Sequence, residues 1–361
     1  MDAAVLRSKR GARTWFISEV PTPQRTPTLN TLASRIPDAC FVFIKSNKTD
    51  RGWGRITPGH PSLYWDEMTL RQRLTLILAI AARPQSELAI CFGYRGAPRI
   101  AALLGSRLFQ SPVIVRSDTN QANIEQGPRL RRYLRRTFLR LLIPKSASAW
   151  TIGTENERFW RQEAGLTRTV RIPYEVSVLP GLKTTGSISE RHSDPKKMRF
   201  LAVGRLIKLK RFDDLIAAFR RLDGAEYRCW SLSIVGSGPE ESALKRLASG
   251  DSRIRFVGAV GYAELGDHFS AADVLVAPSS RENWGLVINE ALGFGLYVIA
   301  SNSVGASIDL ITKENGTVFP RGDQDALTHA LKQASDFTIR LPRVVATDTA
   351  TLMMEAINAT R

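Results

Sequence analysis

The stretch RENWGLVINEALGFG, residues 281–295, sets two carboxylates, Glu282 and Glu290, eight positions apart across the start of an expected helix. The run before it, ADVLVAP (272–278), reads as a buried parallel strand, and Ser279 to Asn283 as the loop that follows. The amides of Trp284, Gly285, Leu286 and Val287 then open the helix. Such an end carries unpaired N–H groups and the positive pole of the macrodipole, so it suits an anion such as a diphosphate. Glu282 falls at the mouth of that pocket and Glu290 about two turns in, where each can accept hydrogen bonds from hydroxyls on a different part of one ligand. Read alone, the pair is equally a carboxylate favoured by the dipole and a solvated helix residue.

The neighbouring blocks narrow that choice. FLAVG (200–204) runs straight into Arg205, Lys208 and Lys210, which puts cations at the carboxyl end of a strand, where doubly wound sheets bind ligands. Arginine and lysine there can neutralise a pyrophosphate, arginine in bidentate fashion. In LSIVGSGPEESALKRLA (232–248), Gly236, Gly238 and Pro239 form a sharp turn from strand to helix. A Gly-x-Gly on its own marks only a turn.

Together these blocks resemble glycosyltransferase family 4, the glycosyl transferases group 1, and the likeness runs from about residue 199 to 330. The resemblance implies an α/β GT-B fold, two Rossmann-like doubly wound domains facing across a cleft. It also implies a hexosyl or other glycosyl transfer from a UDP- or GDP-linked sugar to a glycan or lipid-linked acceptor, with retention of configuration and without cofactor or required metal. Within it, Arg205 and Lys210 bind the donor diphosphate, Glu282 orients the sugar, and Glu290 faces the ribose. IRFVGAVGYAELGDHFSAADVLVAPS (254–279), with Val257, is the nucleobase-facing strand and loop, and Gly236, Gly238, Asn283 and the Trp284 to Val287 amides complete the donor site. The chain departs from the family at Arg211, where Gly is frequent, at Trp284, where Phe is usual, and at Asp309, where Glu is common. The sequence reads as having no Asp-x-Asp motif at a strand end to hold a metal.

Three hundred and sixty-one residues exceed what one core supports, so two domains are expected. The first spans 1–180 and the second 198–336, joined by a polar linker at 181–197, with a tail at 337–361 packing back on the first domain. Residues 1–190 hold 29 Lys and Arg against 14 Asp and Glu, whereas 191–361 hold 22 against 20, so the basic character lies in the first half. Cys40, Cys91 and Cys229 lack metal-ligand spacing and read as buried thiols of a reducing cytoplasm. No run has the roughly 20 apolar residues that cross a bilayer, and none has signal-peptide character.

The first half alternates short apolar runs with helical patterns, the rhythm of a parallel sheet. Asp118, in RSDT at the end of a strand, stands where many relatives carry a His facing the transferred sugar, and it is also a natural N-cap or Asx-turn residue. Tyr94 and Arg95 follow the preceding strand. RGWGRITPGHP (51–61) reads as an acceptor-side loop, with His60 outside the catalytic set.

RLRRYLRRTFLRLLI (129–143) is a basic amphipathic helix, with Leu130, Tyr133, Leu134, Phe138, Leu141 and Leu142 on one face and arginines on the other. Arg131, Arg132, Arg135 and Arg136 are the residues expected to meet an anionic membrane, so that a cytoplasmic protein would associate peripherally with the inner face of the cell membrane. The competing reading makes the apolar stripe core and the arginines solvated. Two other function classes stay open: a nucleotide-sugar 2-epimerase of the same architecture, and a basic nucleic-acid binder, although nothing resembles a base-reading module and no nucleic-acid partner is expected.

Overall fold

Runs such as TWFIS (Thr14–Ser18) and LAICF (Leu88–Phe92) are buried at every position, which requires a sheet covered on both faces. Their side chains alternate accordingly, Trp15 and Ile17 packing into one apolar cluster and Phe16 into another on the opposite face. The structure is a computed structural model describing residues 14–22, 25–46, 56–125, 127–174, 195–335 and 348–360. The chain divides into two compact units, Met1–Pro173 with Asp348–Arg361, and Tyr174–Thr347. Apart from a 3-10 turn at Pro195–Lys197, the expected linker lies outside the described residues, as do the first residues of the expected tail and residues 51–55 of the acceptor-side loop.

Unit 1 runs β1 (Thr14–Ser18), α1 (Thr26–Arg35), β2 (Ala39–Phe43), β3 (Ser62–Tyr64), α2 (Leu70–Ala81), β4 (Leu88–Phe92), α3 (Ala97–Phe109), β5 (Val113–Arg116), α4 (Gln121–Glu125), α5 (Arg129–Leu142), β6 (Ser148–Thr151), α6 (Thr154–Phe159) and β7 (Thr169–Arg171). Its strands are all parallel in the order 3-2-1-4-5-6-7. Unit 2 runs β8 (Arg199–Val203), α7 (Phe212–Arg220), β9 (Ser231–Val235), α8 (Glu241–Ala248), β10 (Ile254–Gly258), α9 (Leu265–Ala271), β11 (Val274–Ala277), α10 (Leu286–Gly293), β12 (Tyr297–Ser301), α11 (Gly305–Leu310), β13 (Gly316–Phe319) and α12 (Gln324–Gln333). Its order is 10-9-8-11-12-13, again all parallel. Each sheet therefore reverses its winding once, between β1 and β4 and between β8 and β11, and ligands of such sheets bind outside the carboxyl ends of the strands at that point.

The last helix, α13 (Thr349–Asn358), packs on α1 in unit 1, burying Met353 and Ile357 beside Leu29 and Leu32. Asp348 caps it by accepting from the Thr351 amide at 2.9 Å, and Arg35 donates to Thr351 Oγ1 at 2.8 Å.

One expectation changes and two readings left open are resolved. Strand β3 forms beside the stretch read as loop, with the His60 ring 3.8 Å from that of Phe41, so His60 is a packing residue. Cys229 is exposed, because it lies in the turn between a 3-10 helix and β9 and not in an apolar run, whereas Cys40 and Cys91 are buried and burial pushes the Cys91 thiol up to about 12. On α5 the face toward the sheet consists of Leu139 and Leu142, while Leu130, Tyr133, Leu134, Phe138 and Leu141 are exposed. Apart from Leu142, the expected apolar stripe is thus not core.

Ile357→Ala should destabilise the chain by about 2 to 5 kcal/mol in urea denaturation, the ordinary cost of such a cavity. A cost below about 1 kcal/mol would mean that α13 rests on unit 1 without contributing to its core.

Candidate functional site

The site in unit 2 begins with two touching turns. Gly236, at φ +137°, lies so close to the β8 loop that a Cβ would stand 1.9 Å from the Gly204 carbonyl oxygen, and one on Gly238 would stand 2.5 Å from that of Leu206. Hydrogen bonds join the turns: Gly204 N–H to the Val235 carbonyl at 3.0 Å, Leu206 N–H to Ser237 at 2.9 Å and Glu240 N–H to Leu206 at 3.0 Å. The two glycines are therefore required by this contact before any ligand is considered.

The loop so fixed carries Arg205, exposed and unpaired among the described residues, and a 3-10 turn ending at Lys210. Arg211 then adopts the left-handed conformation at φ 52°, which explains why glycine suits this position. Its guanidinium compensates by pairing with Asp213 at 3.3 Å and with buried Asp214 at 2.5 Å.

Across the switch point, β11 leads to Ser279 and Glu282. Glu282 is held by its backbone, donating to the Ser303 carbonyl at 3.1 Å and bridging to Val304. Its carboxylate forms an ion pair with Lys210 Nζ, and both side chains are about three-quarters buried or more. The pair closes a cavity of about 10 Å³, lined also by Val203, Gly285, Val287 and Val304, which is room for roughly one water.

Helix α10 starts at Leu286 after Gly285 at φ +93°, where a Cβ would meet Val304 at 2.6 Å. The amides of Trp284, Gly285, Leu286 and Val287 find no acceptor among the described residues, and Asn283 is exposed beside them. Trp284 is buried and donates its indole N–H to Asn289 Oδ1 at 2.8 Å, so it anchors the helix start. Lys210, Glu282, Gly285 and Val287 thus line one small volume.

Glu290 lies elsewhere in the same unit's interior. It is 5% exposed and hydrogen-bonded to Tyr262, from the loop after β10. Burial raises its pKa to about 8, against the lowering effect of the Tyr262 hydrogen bond, so the carboxyl holds a proton at neutral pH. Tyr262 was not singled out from the sequence; its place after the edge strand gives no periodic signal. Val257 sits in β10 at a shift of register between Phe256 and Gly258, and Asp309 is half-buried on α11.

One Asp-x-Asp does follow a strand, Asp323-Gln324-Asp325 after β13, contrary to the reading above. Both side chains have structural partners: Asp323 caps α12 through the Ala326 amide at 2.9 Å, and Asp325 pairs with Arg221 at 2.6 Å.

In unit 1, Asp118 is exposed at the end of β5 with no partner among the described residues. It is not the N-cap, because Asn120 Oδ1 takes the Asn123 amide at 3.3 Å. Tyr94 packs against Phe159 and Trp160, and Arg95 stacks 5.8 Å above the Tyr94 ring. Of the four arginines assigned to a membrane surface, Arg131 is exposed. Arg132 donates to the Glu125 carbonyl at 3.4 Å, and Arg135 and Arg136 lie 3.9 and 3.0 Å from the buried Glu163 carboxylate.

The family model for glycosyl transferases group 1 matches residues 197–336. An uncharacterised glycosyltransferase of Haemophilus influenzae is 32% identical over 135 residues, 36% of this chain and 37% of its own length. A GDP-mannose-dependent monoacylated alpha-(1-6)-phosphatidylinositol monomannoside mannosyltransferase of Corynebacterium glutamicum is 35% identical over 144 residues, 38% of this chain and 37% of its own. The matches thus span little more than a third of these relatives. The crystal structure of Anabaena HepE in complex with UDP and glucose superposes with a TM-score of 0.65 at 14% identity, covering 96% of this chain and 99% of that one, which shows a shared GT-B fold.

The buried carboxyl gives a test. Folding raises the Glu290 pKa from 4.5 to about 8, so the folded chain keeps a proton that the unfolded chain releases. Its contribution to stability is complete below about pH 4.5 and is lost as pH rises to about 8. Glu290→Gln keeps the shape without the titration. In urea denaturation the variant should gain on the native chain across that window by on the order of a few kcal/mol, and parallel pH profiles would refute the assignment.

Proposed function

Because residues 197–336 match the family model for glycosyl transferases group 1, we propose that this protein is a retaining glycosyltransferase. It moves a hexosyl or related sugar from a UDP- or GDP-linked donor to a glycan or lipid-linked acceptor, in the synthesis of a cell-surface polysaccharide or lipopolysaccharide. The observation that carries this reading is the convergence of Lys210, Glu282 and the open amides of α10 at the switch point of the second sheet.

A nucleoside diphosphate leaves readily when its developing charge is met by cations and a helix N-terminus. Arg205, Lys210 and the Trp284 to Val287 amides supply that field, and no carboxylic acid need protonate the departing oxygen. Donor binding separates the Lys210–Glu282 pair, the ammonium turning to phosphate and the carboxylate to sugar hydroxyls. The ribose hydroxyls replace Tyr262 as partners of Glu290, and Asp118 addresses the sugar or the acceptor hydroxyl. The reaction uses no cofactor, and no step calls on a metal.

The acceptor side supports a membrane setting at the cytoplasmic face. Leu130, Leu134 and Leu141 of α5 are 69%, 58% and 63% exposed in one stripe, with Arg131 on one flank and Arg129 and Arg140 on the other. An apolar stripe turned to solvent and bordered by cations matches the boundary of an anionic bilayer.

Incubation with a panel of labelled nucleotide-sugars and membrane extract should yield a labelled lipid-linked product. Glu282→Gln and Lys210→Ala should each lower turnover by about tenfold to a hundredfold, the cost of a lost transition-state contact. Near-normal turnover in both folded variants removes this assignment. Glu290→Ala should weaken free-nucleotide binding by calorimetry.

Changing Leu130 and Leu134 to Ser together with Arg131→Gln should release the protein from anionic vesicles while nucleotide affinity stays unchanged. High salt alone should only partly mimic the triple variant, because screening acts on the arginines and not on the leucines. Equal co-sedimentation of variant and native chain would leave α5 as a cover of the first sheet.

A further inference from the structure

A cavity of about 200 Å³ in unit 1 has no part in the chemistry above. It lies among α4, the first turns of α5 and the π-helical turn Trp160–Ala164 that follows α6. Because α4 and α5 carry the chain from the end of β5 back to the start of parallel β6, α5 begins at the carboxyl edge of the sheet, where ligands bind.

Two features of its wall ask for opposite partners. Arg129, Arg132 and Arg136 line it from successive turns of α5, and the first turn of that helix has no acidic residue and a Pro128 cap without a side-chain acceptor. Cations at a helix N-terminus oppose the macrodipole, and an anion placed among them reverses the sign of that interaction. The same wall holds two buried acceptors. Gln121, 2% exposed, points its amide nitrogen toward Glu125 at 3.3 Å and Glu163 at 3.5 Å, which leaves Oε1 without a partner among the described residues. Glu163, 1% exposed, receives Arg136 on Oε1 at 3.0 Å, while Oε2 has no hydrogen bond and meets only Arg135 Nε at 3.9 Å. Buried acceptors of this kind need a donor.

A bare phosphate satisfies only the arginines. A phosphate ester bearing free hydroxyls satisfies both sets. We propose that this cavity binds the phosphate ester of a small polyol, its phosphate on Arg129, Arg132 and Arg136 and its hydroxyls donating to Gln121 and Glu163. At about 200 Å³ the cavity falls below the roughly 300 to 1,000 Å³ of pockets for larger ligands, so it suits a small one. The same chemistry is offered by the headgroup of phosphatidylglycerol and by soluble glycerol phosphate. The site is read by binding alone, so it stands or falls apart from the transfer reaction.

The test uses the full chain with two probes. Calorimetry compares glycerol 1-phosphate with inorganic phosphate, and flotation compares vesicles of phosphatidylglycerol with vesicles of phosphatidylserine at equal charge. A lipid site gives at least about fivefold preference for phosphatidylglycerol, lost in Gln121→Met and in Arg132→Gln but kept in Arg131→Gln, which lies on the other flank of α5. A soluble ligand gives tighter binding of glycerol phosphate than of phosphate, lost in the same two variants, with both vesicles bound alike. Should Gln121→Met fail to fold, Arg132→Gln, whose side chain is partly exposed, decides. No preference in either comparison, or preferences that survive both variants, would overturn the proposal.

Discussion

The contact of Gly236 with the Gly204 carbonyl is the constraint from which the site in unit 2 follows. No side chain fits between these backbones, so the turns after β8 and β9 lie against each other and share their amides and carbonyls. Gly204 in turn leaves room for the Lys210 stem, whose Cε would be 3.3 Å from a Cβ there, and so directs the ammonium across to Glu282. Glu282 is placed just as firmly by its bridge to Val304. Cation and carboxylate are positioned by backbone, and little side-chain entropy is left to lose when a ligand enters.

The two carboxylates that frame α10 answer desolvation differently. Glu282, still about a quarter exposed, stays beside a lysine in a pair whose separation costs on the order of 1 kcal/mol. Glu290 has no cation near it among the described residues and is neutralised by a proton instead. A ligand that engages both ends meets an ionic contact at one and a neutral hydrogen-bonding group at the other. The ion pair and the protonated Glu290 therefore add little net charge, which leaves the exposed Arg205 and Lys208 as the cations of this loop.

Much of this was legible in the chain. Continuous apolar runs announce strands buried on both faces, and β1, β2, β4, β5, β8 and β11 lie where such runs occur. The loops that follow β8 and β11 carry the Arg205, Lys210 and Glu282 cluster because strand ends and helix starts are marked by composition. Short β3 and exposed Cys229 carry no comparable mark, since three residues do not establish a period and a cysteine reports its neighbours only through the fold. The Tyr262–Glu290 hydrogen bond joins positions 28 apart in sequence, and no spacing rule connects an edge-strand loop to a helix interior.

Helix α5 shows why periodicity yields a stripe but not its direction. Leu130, Leu134 and Leu141 make the wider apolar face, yet Leu139 and Leu142 face the sheet. What decides between the faces is the ionic contact on the inner one: Arg135 and Arg136 approach the buried Glu163 carboxylate, which cannot be left without a cation. Rotating the wider stripe inward would carry both arginines away from Glu163 and strand that charge. A buried acid on a neighbouring turn therefore sets the rotation of α5, and it holds the leucines out toward solvent at the cost of an exposed apolar surface.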